Sequence, residues 1–380
     1  MANLIPIDLV GCLLERLGLR DLYACSQICR LWQQLAAARR DLLRLVEPDG
    51  CCDGTRHPLD PRPVPASVRG SALQQLHHPG AMVFIDGFGE MRTILLCEQD
   101  RLKLMSWSSP APKPLAWVTR YSWLTTVPYP RGSSGPCGLA VAHEEGTQKL
   151  FVSDVGTDRV YKFSVRCLDP GVDPVREVDI DFSHNLRLEG SVGGHGTEDG
   201  QLVGPGALAI SGGLLFVAEG DRVSVFDHAS LAFRFRFGQR GSGRGEFKCP
   251  SGLAIGGGEV FVADMNNHRV NVYAEADGAF RRSLGRQGTQ PGEFRRPAAV
   301  SYISGRLLVS EFTGKRVQVL SPQDGTPLQL LSTLSCGAPA RIGPFLVDEA
   351  AEQMLAPAAA PAKEPLHMFR LRLREAAQYP

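Results

Sequence analysis

A period of 47 residues is the feature of this sequence that most limits what it can fold into. An Arg-Val pair that opens an alternating apolar segment stands at Arg222, Arg269 and Arg316, and these positions are 47 residues apart. An earlier copy at Arg159 lies 63 residues before the first of these, which predicts an insertion near 170–181. A more degenerate copy has Arg101 at the same place. Repetition at this length indicates a stacked array of similar folding units.

Each copy has the same internal order. A Pro-Gly or Pro-x-Gly segment, replaced by Pro-Ala-Ala at 297–299, is followed by an apolar run that ends in an acidic residue, by a short polar turn and by the repeated arginine, as in 205–223 and 250–270. Alternating, β-branched segments between turn residues predict strands. A period of about 45 residues is typical of four strands per propeller blade. Because one sheet cannot bury both of its faces, neighbouring units must stack around a central axis.

A fainter copy begins at 337–339 and ends in the alternating segment 366–373, which favours six blades. The sequence therefore predicts an all-β propeller over residues 67–380. The last copy has no outer strand after Leu373, while the segment 71–76 precedes the first copy without a partner. We expect segment 71–76 to complete the last blade, because this would close the ring without an exposed edge.

Residues 1–46 have a different pattern. Leu9, Val10, Leu13, Leu14 and Leu17 form one apolar stripe at helical spacing, and two shorter amphipathic segments follow. This predicts a small all-α module of three helices. So small a module buries little surface of its own, so its large apolar side chains favour a shared interface with a partner. A helical cap packed on the propeller is the alternative.

Residues 47–66 are rich in proline and turn residues, and they predict an extended, semi-rigid linker. The adjacent Cys51 and Cys52 in this linker are candidates for redox or lipid chemistry. The ten cysteines contain no paired C-x-x-C units with nearby histidines, so the sequence predicts neither a metal site nor a cofactor. The first residues lack the order of a secretory signal, and reduced thiols fit the cytoplasm or the nucleus.

Charge is unevenly distributed along the chain. The formal net charge is +1, which gives no general argument for binding nucleic acid or a membrane surface. Between Leu231 and Leu320, however, 14 Lys and Arg residues stand against 7 Asp and Glu residues. A basic surface of this kind attracts acidic protein, phosphorylated protein or RNA.

The repeats resemble the NHL repeat family. The segment 243–254 reads Gly-x-Gly-Glu-Phe-x-x-Pro-x-Gly-Leu-Ala, and Asn267-His268 stands where the family has its name-giving triplet. The resemblance covers roughly residues 70–375 and is most specific in 237–320. It implies a propeller whose loops before each repeat share one face with the shorter turns inside the repeats.

We predict that a target binds on that face, because binding residues commonly lie on loops of a rigid scaffold. We expect the site to bind an acidic or phosphorylated segment through charge-assisted hydrogen bonds. The predicted substrate-binding residues are Arg240, Arg244, Lys248, His268, Arg286, Arg295 and Arg296. Asp158, Asp221, Asn267 and Thr313 are expected beside them. The repeated Arg159, Arg222, Arg269 and Arg316 are predicted to be structural, since they recur in every unit.

The N-terminal module is similar to the F-box along its length. The pattern begins at Ile5-Pro6, where Ile replaces the usual Leu, and its most specific element is Ile28-Cys29-Arg30-x-Trp32. The resemblance implies docking to a Skp-family adaptor and through it to a cullin–RING ubiquitin ligase. It assigns to adaptor binding or to the module core Ile5, Pro6, Leu9, Val10, Leu13, Leu14, Leu22, Ile28, Cys29 and Trp32.

Two other functions compete with the role of a substrate adaptor. Some NHL propellers bind single-stranded RNA on a basic face, which requires aromatic side chains for base stacking. Phe247 and Phe294 lie in the basic loops, but their repeated position predicts burial. NHL-like propellers also include a metal-dependent amidating lyase, for which His143, His195, His268 and His367 are candidate ligands. No nucleophile–base motif or phosphate-binding loop is present, so we expect no catalytic activity.

Overall fold

The chain divides into two compact units, Met1–Gly54 and Thr55–Pro380. The computed structural model describes residues 57–58, 62–63, 80–85, 92–98, 101–108, 111–120, 135–165, 186–314, 316–332, 345–348, 353–357 and 366–370. The three predicted helices and all ten predicted adaptor-binding residues lie outside these ranges.

The described residues form six sheets in a propeller-like arrangement, and each of the first five follows one copy of the repeat. We number these sheets as blades one to six in chain order. Blade one contains β3 (Met82–Ile85), β4 (Arg92–Glu98), β5 (Arg101–Ser108) and β6 (Ala111–Arg120). Blade two contains β7 (Pro136–Glu144), β8 (Thr147–Asp154), β9 (Arg159–Val165) and β10 (Leu186–Gly193). Blade three contains β11 (Pro205–Ser211), β12 (Leu214–Glu219), β13 (Arg222–Asp227) and β14 (Phe233–Phe237).

The remaining blades have the same antiparallel order. Blade four contains β15 (Pro250–Gly256), β16 (Glu259–Asp264), β17 (Arg269–Ala274) and β18 (Phe280–Leu284), with a short 3-10 helix at Met265–Asn267. Blade five contains β19 (Pro297–Ile303), β20 (Arg306–Glu311), β21 (Arg316–Leu320) and β22 (Pro327–Ser332). Blade six contains β23 (Leu346–Asp348), β24 (Gln353–Pro357) and β25 (Leu366–Arg370). The prediction of four strands per repeat is thereby confirmed for blades one to five.

The repeat motif marks the strand boundaries. A proline begins the first strand of blades two to five, where its missing N–H group breaks no hydrogen bond inside the strand. The apolar run becomes the second strand, as in β12 and β16, whose residues are almost all buried. The repeated arginine begins the third strand. The outer strand alternates, so that Arg234 and Arg236 of β14 are exposed between phenylalanines.

The core lies between the blades. One cluster joins Phe216 and Phe237 of blade three to Val262 and Tyr273 of blade four, and another joins Phe261 of blade four to Val309 of blade five. Each fully buried aromatic or aliphatic side chain contributes about 1.5–3 kcal/mol relative to exposure. The blades therefore stabilise one another face to face, as the repeat predicts.

Two short strands from the N-terminal side of the second unit extend the last two blades. β1 (His57–Pro58) pairs in parallel with β22, and β2 (Arg62–Pro63) pairs antiparallel with β25. A strand from the N-terminal side thus supplies the outer strand of blade six. This strand is 62–63 rather than the expected 71–76, a segment that lies outside the described residues. Part of the predicted linker 47–66 consequently pairs with propeller strands.

Within the described ranges, no helix has the length and apolar character that crossing a membrane requires.

Candidate functional site

The predicted basic residues lie on one side of the described blades, which we call the loop face. It consists of the inter-blade loops 194–204, 238–249 and 285–296, together with the turns between the second and third strands of blades two to five. Hydrogen bonds join the two sets: the N–H of Asn266 donates to the carbonyl of Lys248 at 3.1 Å, and that of Thr313 donates to the carbonyl of Arg295 at 3.3 Å. The prediction that these loops and turns share a face agrees with these bonds.

The Gly-Glu-Phe motif closes each basic loop. In the loop 238–249, Glu246 accepts hydrogen bonds from the N–H of Gly243 at 2.7 Å and from Gln239 Nε2 at 3.0 Å. In the loop 285–296, Glu293 accepts from the N–H of Gln290 and from Arg286 Nε, both at 3.0 Å. These hydrogen bonds lower the pKa of Glu246 and that of Glu293 below the usual range. The two carboxylates therefore remain ionised and keep the loops closed at neutral pH.

The phenylalanine of the motif anchors the loop in the core. Phe247 and Phe294 are fully buried, which confirms the expectation that they are core residues rather than stacking platforms. Gly238 and Gly285 permit this, because each has a positive φ and a Cβ there would come within 2.3 Å of the buried ring. The basic loops are therefore held at both ends by interactions that the repeat itself supplies.

The repeated arginines tie each loop to the next blade. Arg269 Nε lies 3.0 Å from Oδ2 of the buried Asp264, and its terminal nitrogens donate to the carbonyls of Ser242, Gly243 and Glu246. Arg316 pairs in the same way with Glu311 at 2.5 Å, and Arg222 pairs with Glu219 at 2.9 Å. A planar guanidinium suits this task, since it can bind a carboxylate and several carbonyls at once. The predicted structural role is confirmed for these three arginines.

The same buried carboxylates fix the backbone of the residues that point outward from the loops. Asp264 Oδ1 accepts the N–H of Lys248 at 2.7 Å, and Glu311 Oε2 accepts the N–H of Arg295 at 2.8 Å. Burial raises the pKa of Asp264, against the lowering effect of its hydrogen bonds. Lys248 and Arg295 are thus held at a defined place although their side chains are exposed.

Arg159 departs from this pattern. Its guanidinium donates to Ser191 Oγ at 3.3 Å instead of pairing with Asp154, the equivalent carboxylate. Asp154 accepts the N–H groups of Gly156 and Thr157 through Oδ1, and its buried Oδ2 has no hydrogen-bond partner. The repeat predicts the same role for Arg159 as for the other three arginines, but the contact of its guanidinium is different.

A second repeated bond joins consecutive blades. Asp158, Asp221 and His268 occupy the same position at the end of the turn between the second and third strands. Asp158 Oδ1 accepts the N–H of Gly204 at 2.6 Å, Asp221 Oδ1 accepts that of Cys249 at 3.5 Å, and His268 Nδ1 accepts that of Arg296 at 3.1 Å. The predicted binding residue His268 thus contributes one ring nitrogen to a bond between blades four and five.

Several predicted substrate-binding arginines already contact the propeller. Arg286 pairs with Glu293, and Arg240 lies 3.8 Å from Asp221 although its side chain is 86% exposed. The guanidinium of Arg244 lies over the ring of Phe280 at 5.6 Å. Arg296 packs over Phe312 at 5.4 Å and donates to Met265 Sδ.

Lys248 and Arg295 differ from these arginines. In the described part of the chain, neither the ammonium of Lys248 nor the guanidinium of Arg295 has an ion pair or a hydrogen bond. They stand at equivalent positions of blades four and five, two residues before the proline of the first strand. Of the seven predicted residues, these two are the best placed to offer their charge to a ligand.

The preceding loop carries the opposite charge, which the motifs do not predict. The loop 194–204 contains Glu198 and Asp199 and no Lys or Arg, whereas each of the next two loops has three basic residues and one acidic residue. This difference in charge can be read from the sequence when the three loops are aligned on Leu202, Phe247 and Phe294.

Among the described residues, no group of three His, Cys, Asp or Glu side chains could hold a metal ion. Of the candidate ligands, His195 pairs with Asp158 at 2.8 Å and His268 accepts a backbone N–H group.

The described fold and loop face define a class: a repeat protein whose stacked four-stranded blades present charged loops on one side. Comparison with known families gives the particular domains. The F-box domain model matches residues 3–43, and the NHL repeat model matches residues 247–273. Both the F-box domain and the NHL repeat that the sequence motifs predict are thus found by these family models.

Comparisons with whole proteins add less. No curated protein matches this chain. A solved structure described as a nidogen/laminin complex is similar to it with a TM-score of 0.45 and 13% identity, covering 68% of this chain and 82% of the other.

Proposed function

We propose that this chain is a substrate-recognition adaptor of an SCF-type cullin–RING ubiquitin ligase. The observation that carries the proposal is the combination of an F-box match at residues 3–43 with a propeller-like repeat domain that presents a charged loop face. F-box domains bind a Skp-family adaptor, and NHL propellers bind target proteins. The chain would then join a target to the ligase without catalysing a reaction itself, in the cytoplasm or the nucleus.

The N-terminal module would provide the ligase contact. Its proposed adaptor-facing or module-core residues are the ten apolar and cysteine positions that the F-box resemblance assigns. The loop face would provide the target contact, because its loops are braced by buried carboxylates and arginines and its outward cations are exposed. A rigid scaffold with fixed charges reduces the ordering cost of binding.

Co-purification tests the ligase contact directly. The full chain, expressed with a tagged Skp-family adaptor, should be retained with it, and substitution of Ile5, Pro6 and Trp32 by Ala should abolish retention. Charge reversal of Lys248 and Arg295 on the loop face serves as the matched control and should leave retention unchanged. Equal retention of the Ile5/Pro6/Trp32 variant would contradict the proposed docking.

RNA binding by the loop face is the alternative, and the basic loops are the observation in its favour. Stacking of bases requires exposed aromatic side chains. Among the side chains whose burial the structure describes, the large hydrophobic ones that are exposed are Leu188 and Leu328, neither of them aromatic. A filter-binding assay with single-stranded RNA at increasing salt distinguishes this function from protein binding.

A further inference from the structure

We infer that the loop face binds an anionic segment of a target protein over blades four and five only, and that Lys248 and Arg295 make the charge contacts. This inference rests on the proposed function and specifies the chemistry and position of its target site. The inference is narrower than the prediction of a basic loop face in two ways. It assigns the contacts to two of the six predicted Lys and Arg residues, and it excludes the side of the face nearest blade two.

The first argument is the availability of charge. Arg240 and Arg286 lie beside Asp221 and Glu293, so part of their charge is already compensated. Arg244 and Arg296 lie over aromatic rings. The exposed side chains of Lys248 and Arg295 have no such partners within the described ranges. A carboxylate or phosphate group that approaches the face therefore gains most at these two positions.

The second argument is the rigidity of the two attachment points. The N–H group of Lys248 donates to Asp264, and its carbonyl accepts from the N–H of Asn266. The N–H group of Arg295 donates to Glu311, and its carbonyl accepts from the N–H and the hydroxyl of Thr313. Because both backbone groups of each residue are bound, the two cations extend from fixed points in neighbouring blades. A ligand pays no cost for ordering the main chain that carries them.

The third argument is the charge of the adjacent loop. Glu198 and Asp199 stand in the loop 194–204, and the position equivalent to Lys248 and Arg295 is the neutral Val203. Glu198 is exposed, and Asp199 is 66% exposed beside Arg236 at 3.4 Å. Because Arg236 compensates part of the charge of Asp199, the repulsion of an anionic segment from this side comes mainly from Glu198. The loop face therefore changes sign between the loop 194–204 and the loop 238–249, and the favoured anion site begins at Lys248.

A protein segment fits this surface better than RNA. An RNA strand needs stacking platforms beside the phosphate contacts, and Phe247 and Phe294, the aromatic residues of the two basic loops, are fully buried. Acidic or phosphorylated side chains need only cations at fixed places. Glutamate and phosphoserine both present anionic oxygens, so the experiment below compares the two sources.

The test measures binding of labelled probes to the full chain by fluorescence anisotropy. The probes are a short peptide of alternating Glu and Gly, the same peptide with Gln for Glu, a version with phosphoserine for Glu, and single-stranded poly(U). We expect the two anionic peptides to bind and the Gln peptide to bind far more weakly. The Lys248→Glu/Arg295→Glu variant should bind the anionic peptides about tenfold more weakly, since two exposed attractions become repulsions.

The matched control has the same change in net charge away from the loop face. Arg187 and Arg281 are exposed on the outer strands β10 and β18, and the Arg187→Glu/Arg281→Glu variant should retain the affinity of the unchanged chain. The Glu198→Gln variant should bind at least as tightly as the unchanged chain. Thermal unfolding of each variant reports its folding, and Lys248→Gln/Arg295→Gln provides a milder change at the same site.

Several results would overturn the inference. These are equal weakening by the control pair, unchanged binding to the Lys248/Arg295 variants, failure of both anionic peptides to bind, and binding of poly(U) alone. Retention by the Skp-family adaptor, measured on the same preparations, shows separately whether the proposed ligase contact holds.

Discussion

The buried ion pair between Arg269 and Asp264 provides a sharp test of how the loop face is built. Arg269→Met removes the guanidinium and keeps much of the apolar stem, so the change isolates the charge and its hydrogen bonds. Asp264 is fully buried, and Arg269 is its cationic partner at 3.0 Å. The substitution leaves that carboxylate in the interior without a counter-charge.

The expected loss of stability follows from this burial. Removal of one member of a buried ion pair destabilises a protein by about 3–5 kcal/mol. The lower end applies here, at about 3 kcal/mol, because Asp264 keeps hydrogen bonds from Lys248 and Asn267. The three loop carbonyls that Arg269 binds are partly exposed, and water can replace the lost donors.

Blade two supplies a matched control. Arg159 stands at the equivalent position but does not pair with Asp154, and its one side-chain hydrogen bond, to Ser191, is exposed. Arg159→Met should therefore cost at most about 1 kcal/mol. Urea unfolding of both variants gives the two free energies. The double change Arg269→Met/Asp264→Asn should recover part of the loss, since it removes the uncompensated charge.

Equal losses from Arg269→Met and Arg159→Met would refute this reasoning. So would a loss for Arg269→Met that Asp264→Asn makes worse. Either result would mean that the loop is held by packing of Phe247 rather than by the ion pair.

Three further outcomes are expected. Phe247→Ala should destabilise the propeller by about 3–5 kcal/mol in thermal or urea unfolding, since it empties a fully buried ring site, and Phe235→Ala on the half-buried outer strand should cost less. Because the pKa of Glu246 and that of Glu293 are lowered in the folded chain, the stability they give their loops is complete above the usual glutamate pKa and is lost as pH falls through the lowered values. The hydrogen-exchange protection factors of the Gly243 and Gln290 amides, taken relative to the intrinsic rate at each pH, should fall in that acidic range, and pH-independent protection factors would contradict this. His268→Ala should cost about 1 kcal/mol by removing the acceptor for the Arg296 amide, detectable as faster exchange of that amide, whereas Asn266→Ala, an exposed neighbour, should have little effect.

The repeat made much of the propeller predictable from sequence. The prolines at 136, 205, 250 and 297 and the arginines at 159, 222, 269 and 316 fall at strand starts, because a strand must begin where the chain leaves a turn. The three helices of residues 1–46 were predicted from apolar periodicity and their adaptor role from resemblance, and those residues lie outside the described ranges. The strand that extends blade six was predicted at 71–76 but lies at 62–63. This strand is too short and too rich in proline to show an alternating pattern in the sequence.

The site was less predictable than the fold for a physical reason. Sequence shows that Arg240, Arg286 and Lys248 are charged, but it does not show which charges are compensated by neighbours. Arg286 faces Glu293 only because the loop folds back on itself through Phe294. The exception at Arg159 is not apparent from the acidic residue and the Arg-Val pair, which are present there as in the other copies.

The pairing of β2 with β25 has a consequence for biosynthesis. The segment 62–63 leaves the ribosome early, but its partner 366–370 is made only after all the other described strands. During translation the early segment must therefore wait without a partner while the intervening blades assemble. A ribosome stalled before residue 366 would leave blade six without β25, and a quality-control factor could sense that unfinished edge.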